Sequence, residues 1–346
     1  MPERGNPNDL AYIDVKNIIA NAAGALGAWT LTRRLTRSVP RIFMFHRFSG
    51  TPADGMTDAD ELNRFIDRVS AVCELVTVKD LASRLDDPEA MEGPFAAITV
   101  DDGYADFHAV ALPILAERRV PATLYATAGF VDGRCWLWWD ALRHLLDAHP
   151  GGTLELELDG EVVVCQLGDV PSRQHAWERI ADALVSRNAE RATVISELEA
   201  AAGHRLPKKP TLEYAPMSWA QLAEAEAAGI EIGGHTMTHA FLPGMDSDGL
   251  RHELNAAKAL MEQHLIRPLV TFAYPNGAPS DCTPAVVDAV RAAGFSAAVL
   301  AHPRPFRAAD RYRLGRWSAH SGAQHLDHIL NGASALKLAL RPGTMQ

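Results

Sequence analysis

The sequence predicts an α/β domain on a parallel sheet, open or closed into a barrel. Two observations carry this. Short apolar runs alternate with helically spaced segments from about residue 41 to residue 300. The polar residues able to do chemistry sit just past the apolar runs, where α/β folds gather their sites. A chain of 346 residues, 47% of them hydrophobic, has ample material for such a core.

The elements follow in order. Residues 1–14 are polar and mixed in charge, with no secretory signal. Ile18 to Trp29 is mildly apolar but broken by Asn21, Gly24 and Gly27, and falls short of the roughly 20 apolar residues a bilayer requires. A helix there, followed by Arg33, Arg34 and Arg37, suits packing on the domain or peripheral contact with a membrane surface. Arg41–His46 reads as a buried strand. Leu62, Phe65, Ile66 and Val69 place a helix over 58–72, capped by Thr57 or Asp58. Next come a strand at Leu75–Val78, a short helix at Asp80–Leu85 and a fully apolar strand at Phe95–Val100. A helix at Ala109–Arg118, kinked or broken at Pro113, leads to a strand at Ala122–Ala126.

The rhythm then changes. Trp136, Trp138 and Trp139 form an aromatic burst, and Thr153–Leu167 alternates around Asp159-Gly160 as a hairpin does. One long helical pattern runs from Ser172 to Ala202, ended by Pro207 and Pro210. The α/β alternation resumes with helices at Ser218–Ala228, Gly249–His264 and Pro284–Ala293, and strands at Ile230–Ile232, Val270–Ala273 and Ala297–Leu300. Residues 134–212 are therefore expected as an inserted hairpin-plus-helix segment. The remaining divisions are a helical extension over 1–39, a catalytic domain over 40–320 and a tail over 321–346.

Net charge is −10, and the one dense basic group is Arg33, Arg34 and Arg37, which argues against nucleic acid as a partner. The four cysteines are scattered without paired spacing, as free thiols in a reducing compartment would be. A cytoplasmic location is expected, with membrane association open.

Two motifs carry the chemistry. Thr99-Val100-Asp101-Asp102-Gly103-Tyr104 closes one strand, and Gly234-His235-Thr236-Met237-Thr238-His239 closes another. Two imidazoles four residues apart and one carboxylate can grip a divalent cation with positions left open. Adjacent carboxylates repel, and a cation on one keeps the other ionised and usable as a base. Zinc is expected, with cobalt, manganese or nickel also suited to this donor set.

At these residues the chain resembles the polysaccharide deacetylases, the NodB-homology carbohydrate esterases. The family's Thr-Phe-Asp-Asp-Gly and His-Ser/Thr-x-x-His are similar to Thr99–Gly103 and His235–His239. Tyr104, Pro121-Ala122-Thr123 and Ala293-Gly294-Phe295 extend the likeness. The resemblance implies a distorted (β/α)7-type barrel of about seven strands and hydrolysis of an N-acetyl group on an amino sugar. It makes Asp101 the base and Asp102, His235 and His239 the metal ligands, with metal-bound water attacking the acetamide carbon. The third motif, Arg-x-Pro-x-Gly, stands here as Ala273-Tyr274-Pro275-Asn276-Gly277. The Arg that orients the base is thus absent, and Arg316 is a candidate to replace it. The loop shape is kept, with the Asn276 N–H expected in an oxyanion hole and Tyr274 beside it. Two histidines compete as general acid: His46, in a string similar to that of the poly-N-acetylglucosamine branch, and His302 in Leu300-Ala301-His302. Tyr104 and Trp138 are candidate substrate contacts. The expected substrate is a polysaccharide, an oligosaccharide or a lipid- or nucleotide-linked sugar. Two other readings stay open: a metal-dependent hydrolase of another amide or cyclic imide, and a catalytically silent carbohydrate-binding relative.

Overall fold

A computed structural model describes residues 28–158, 160–320 and 322–340. The chain enters through α1 (Ala28–Leu35) and reaches β1 (Arg41–Phe45); β2 (Phe48–Ser49) and β3 (Thr57–Asp58) pair beside it. In α2 (Ala59–Ser70), Asp58 accepts the Glu61 N–H as a cap, and the buried face is Leu62, Phe65, Ile66 and Val69. Next come β4 (Glu74–Leu75), α3 (Val78–Arg84), β5 (Phe95–Val100), α4 (Leu112–Glu117) and β6 (Thr123–Ala126). Strand β4 stops short of Val78, because Thr77 and Asp80 form a capping box that turns the chain into α3. The break expected near Pro113 is a π-helical stretch at Phe107–Ala111, with Pro113 in the first turn of α4, where it costs no hydrogen bond.

After α5 (Ala128–Val131) the insertion holds α6 (Trp138–Ala148), the hairpin β7 (Thr153–Leu158) and β8 (Glu161–Gln166), α7 (Val170–Leu184) and α8 (Asn188–Ala202). The single helix expected over Ser172–Ala202 is two helices. The Arg191 guanidinium folds back onto the carbonyls of Leu184 and Val185 and satisfies the end of α7. At the hairpin turn, Gly160 takes a φ of 74°, while Asp159 lies outside the described residues, as do residues 1–27.

The barrel resumes with α9 (Trp219–Ala227), β9 (Glu231–Gly234), α10 (Ser247–Arg251), α11 (Ala257–Glu262), β10 (Thr271–Ala273), α12 (Pro284–Ala292) and β11 (Ala297–Val299). A π-helical stretch at His252–Ala256 divides the helix expected at Gly249–His264. The chain ends with β12 (Trp317–Ser318), α13 (Ala323–Leu330) and α14 (Ala333–Ala339). The sequence pattern shows no β12, since a two-residue strand has no period to read. Within the described part of the tail, Leu326, Ile329 and Leu330 of α13 enter the main core.

The sheet runs β11-β10-β9-β6-β5-β1-β12, with β4 also on β5, and its pairings are parallel. Val299 bridges Leu314, three residues before β12, so the two sheet edges are drawn together and the sheet curls into a distorted barrel. Ile42, Ala97, Tyr125, Ala273 and Val299 fill the interior. Phe43, Phe45, Ile98, Leu124 and Phe272 face outward beneath the helices. The insertion has its own core around Leu142, Leu145, Leu154, Ile180 and Leu198. Cys73, Cys135, Cys165 and Cys282 are free thiols. Among the described residues, no helix is long and apolar enough to cross a membrane.

Leu145 is fully buried in the insertion core. Leu145→Ala is expected to cost about 2–5 kcal/mol in urea unfolding; a loss below about 1 kcal/mol would show that this core is loosely packed.

Candidate active site

The end of β5 sets the first half of the site. Asp101 stays in strand geometry, its N–H donating to the Phe45 carbonyl at 3.0 Å. The chain then turns through Asp102 (φ 76°) and Gly103 (φ 91°), so the two carboxylates leave the backbone in different directions. Arg316 meets Asp101 with two parallel hydrogen bonds, Nη1 to Oδ1 and Nη2 to Oδ2, both 2.6 Å. The guanidinium also donates to Thr99 Oγ1 at 3.0 Å and the Leu300 carbonyl at 2.8 Å, and its exposure is 0%. Burial alone would push the Asp101 carboxyl upward, but the Arg316 pair overrides it and holds Asp101 below the ordinary carboxylate range.

The second half is the loop after β9. Thr236 (φ 65°) and His239 (φ 56°) lie in the left-handed region. With Asp102 they are three of the four described non-glycine residues there, the other being Arg119. Such backbone costs about 1–3 kcal/mol per residue and persists only where the surroundings fix it. Here α5 donates Ala128 N–H to the Thr236 carbonyl and Gly129 N–H to the Met237 carbonyl, at 3.0 and 2.8 Å. Buried Glu253, in the second π-helical stretch, accepts from the N–H groups of Met237 and Thr238 and from the Thr238 hydroxyl, each at 2.9 Å. Arg191 donates to the His239 carbonyl at 3.3 Å. The Trp139 ring lies edge-on to that of His239, 4.4 Å between centroids.

Asp102, His235 and His239 converge. Their ligand atoms lie within 4.8 Å of one another, and all three residues are buried. Each imidazole Nε2 is 3.5 Å from Asp102 Oδ1, too long for a good hydrogen bond. Asp102 Oδ1 and His235 Nε2 are buried without a hydrogen-bond partner, the condition in which a cation would satisfy them. His235 Nδ1 donates to the Ala273 carbonyl at 2.8 Å, which turns the Nε2 lone pair toward Asp102, as a metal ligand requires. Burial, reinforced by His235, pushes His239 down to about 3, so its ring is neutral. One carboxylate and two oriented imidazoles fit a divalent transition metal.

A sequence profile described as polysaccharide deacetylase matches residues 89–150 and 157–298. The chain belongs to the polysaccharide deacetylase family. No curated protein matches it. Solved structures that share its fold include IcaB from Ammonifex degensii, at 19% identity and TM-score 0.56, covering 86% of this chain and 97% of that one. A Streptococcus pyogenes deacetylase, PplD, in complex with acetate, shows 15% identity and TM-score 0.52, covering 80% and 91%. BC0361, a polysaccharide deacetylase from Bacillus cereus, shows 14% and 0.52, covering 84% and 68%. Membership makes the chain a carbohydrate N-deacetylase, a hydrolase of an acetamido carbon–nitrogen bond on an N-acetylated carbohydrate.

Against the family pattern, Ala273 stands in place of the third-motif Arg, and Arg316, from the segment leading into β12, pairs with Asp101. His46 follows β1 directly, at the same end of the barrel as Asp101 and Asp102. His302 is exposed and lines a separate cavity. Several expected contacts are engaged elsewhere. The Tyr104 hydroxyl donates to Asp140 at 2.6 Å and accepts from the Trp139 indole at 3.1 Å, with Arg47 over its ring. Tyr274 is buried and donates to the Tyr312 carbonyl, because the residue after β10 points back into the helix layer. Trp138 lies under Arg191 and packs on the insertion core; its neighbour Trp139 is the one that touches the His loop. The Asn276 amide donates to the Val185 carbonyl at 3.1 Å, tying the third-motif loop to the insertion. Arg191, Glu253 and Asp140 escape the sequence reading, because nothing in their local pattern tells which distant loop they brace.

Arg316→Met leaves Asp101 buried and unpaired. It is expected to cost about 3–5 kcal/mol at neutral pH. The pair's contribution is present above the unfolded carboxylate value, about 3.9, and is lost as pH falls through the lower folded value. The penalty should therefore shrink as pH drops, which urea titrations at several pH values will show. Glu253→Gln is expected to lower metal affinity at least roughly tenfold by loosening the His loop, as measured by chelator competition.

Proposed function

We propose that the chain removes acetyl from an N-acetylated amino sugar by metal-dependent hydrolysis, with Asp102, His235 and His239 holding the ion and zinc preferred. The observation that carries this reading is a carboxylate, Asp101, fixed and kept ionised by Arg316 immediately beside a three-ligand cluster. A divalent cation bound there supplies Lewis acidity toward the acyl oxygen and acidifies a water molecule. Asp101 takes the proton from that water. Its two-point clamp fixes the plane of the carboxylate, so the oxygen lone pairs left free have a set direction in which to receive the proton. His46 returns a proton to the departing amine. Its half-buried place just past β1, whose neighbour β5 ends at Asp101, supports this role over exposed His302. The Asn276 N–H, on a loop braced through the Asn276 amide, serves the oxyanion.

The test is acetate release from N-acetylglucosamine oligomers, with bound metal measured in each variant. Asp102→Ala is expected to lose the metal. Asp101→Asn should keep it and lose at least about 100-fold in turnover. His46→Ala should lose rate with metal retained, and His302→Ala should match the unaltered chain. Full activity in Asp101→Asn would end this assignment.

A further inference from the structure

A cavity of about 630 Å³ lies between the seam of the barrel and helices α13 and α14, and the deacetylation chemistry above does not use it. Met44, Pro303, Trp317 and Leu338 give it apolar walls. His302, His325, His328 and Lys337 also line it, and its described lining holds no carboxylate. In a chain of net charge −10, three imidazoles that offer N–H donors and one ammonium, gathered without an acid, make a local site for an anion. His325 and His328 share one face of α13. Burial first, then the charges of His328 and Lys337, hold the His325 imidazole below its ordinary range. An anion among these groups relieves that repulsion.

The cavity adjoins the catalytic machinery. Met44 sits on β1 two residues before His46, on the same face. Trp317 directly follows Arg316, the partner of Asp101. Ala301 donates its N–H to the Gly277 carbonyl of the third-motif loop at 2.9 Å. The cavity and the barrel mouth therefore share a rim, made by Ala301, His302 and the third-motif loop, over which a sugar at Asp101 can carry a substituent.

The outer side of this region is amphipathic. Helix α1 packs on α14. It exposes Leu31 at 59% and Leu35 at 62%, and Leu340 just past α14 is 72% exposed. Arg33, Arg34, Arg37 and Lys337 are exposed around them, and α1 contains no acidic residue. Exposed leucines ringed by cations match an anionic lipid surface.

We propose that the cavity binds the diphosphate and first isoprenoid units of a lipid-linked N-acetylated amino sugar, with the α1–α14 face resting on an anionic membrane. This rests on the deacetylase reading above. The imidazoles and Lys337 take the diphosphate, the apolar wall takes the chain, and the sugar reaches Asp101.

The experiment uses the full chain loaded with its metal. Acetate release is compared for a polyprenyl diphosphate-linked N-acetylhexosamine in anionic vesicles, a nucleoside diphosphate-linked one and a neutral oligomer. KM is expected to be at least roughly tenfold lower for the lipid-linked sugar, and the His325→Ala/Lys337→Ala double variant should remove that advantage with the neutral oligomer unaffected. Leu31→Glu/Leu35→Glu should abolish co-sedimentation with phosphatidylglycerol vesicles. Calorimetry with a short polyprenyl diphosphate reads the cavity without catalysis: binding to the unaltered chain and its loss in the double variant support the proposal. Absence of that binding, or a preference for the nucleoside diphosphate sugar, overturns it. Failure of all three substrates to release acetate while the probe binds overturns the deacetylase reading instead.

Discussion

The buried pair between Arg316 and Asp101 is the constraint on which both barrel and site depend. Each ion gives up several kcal/mol of hydration on burial, and the pair is tolerated because the donors are met. Arg316 makes two bonds to Asp101, one to Thr99 and one to the Leu300 carbonyl. Those partners lie on β5 and just past β11, while Arg316 itself leads into β12. One guanidinium therefore ties the two edges of the sheet across the seam and fixes the carboxylate beside the Asp102, His235 and His239 cluster. Apolar residues in place of both partners would close the seam as well. What they would not supply is an aimed, ionised carboxylate, so function is the reason for a charged group here.

The remaining precision comes from strain that the surroundings hold in place. Asp102, Thr236 and His239 sit in left-handed backbone, and a β-branched residue such as Thr236 does so at a particular cost. The opposing supports come from three directions: α5, the Glu253 carboxylate, and Arg191 from the insertion. A cation bound by these residues would find ligands already aimed, with little ordering left to pay on binding.

The two motifs of the candidate site were legible in the sequence because they are local. Asp101, Asp102, His235 and His239 sit at ends of apolar runs, and the fold brings those ends together. The strand–helix alternation was legible for the same reason, as was the hairpin around Gly160. What the sequence hides is long-range. Arg316 is one arginine among many until the seam brings it within 2.6 Å of Asp101. The split of the 172–202 helix depends on Arg191 reaching carbonyls of the preceding helix, which helical periodicity does not encode. Tyr274 follows a strand, as site residues do, yet its hydroxyl turns to Tyr312; position along a strand fixes neighbourhood, and parity along the backbone decides the direction.

The insertion gains a role from this geometry. Its own core gives it a stability separate from the barrel's. Its contacts with the site are nonetheless specific: Trp139 on His239, Arg191 on the His239 carbonyl, Asn188 bonded both ways with Phe241, and Val185 accepting from Asn276. These reach both the His loop and the third-motif loop, so the insertion forms a wall over one side of the barrel mouth. The seam lies at the other edge of the same mouth, beside β1 and β12. A wall on one side and a basic, apolar-lined opening on the other give the mouth a direction. In the lipid-linked reading proposed above, the carrier of a sugar at Asp101 would leave toward α13 and α14, near the exposed leucines and arginines of α1.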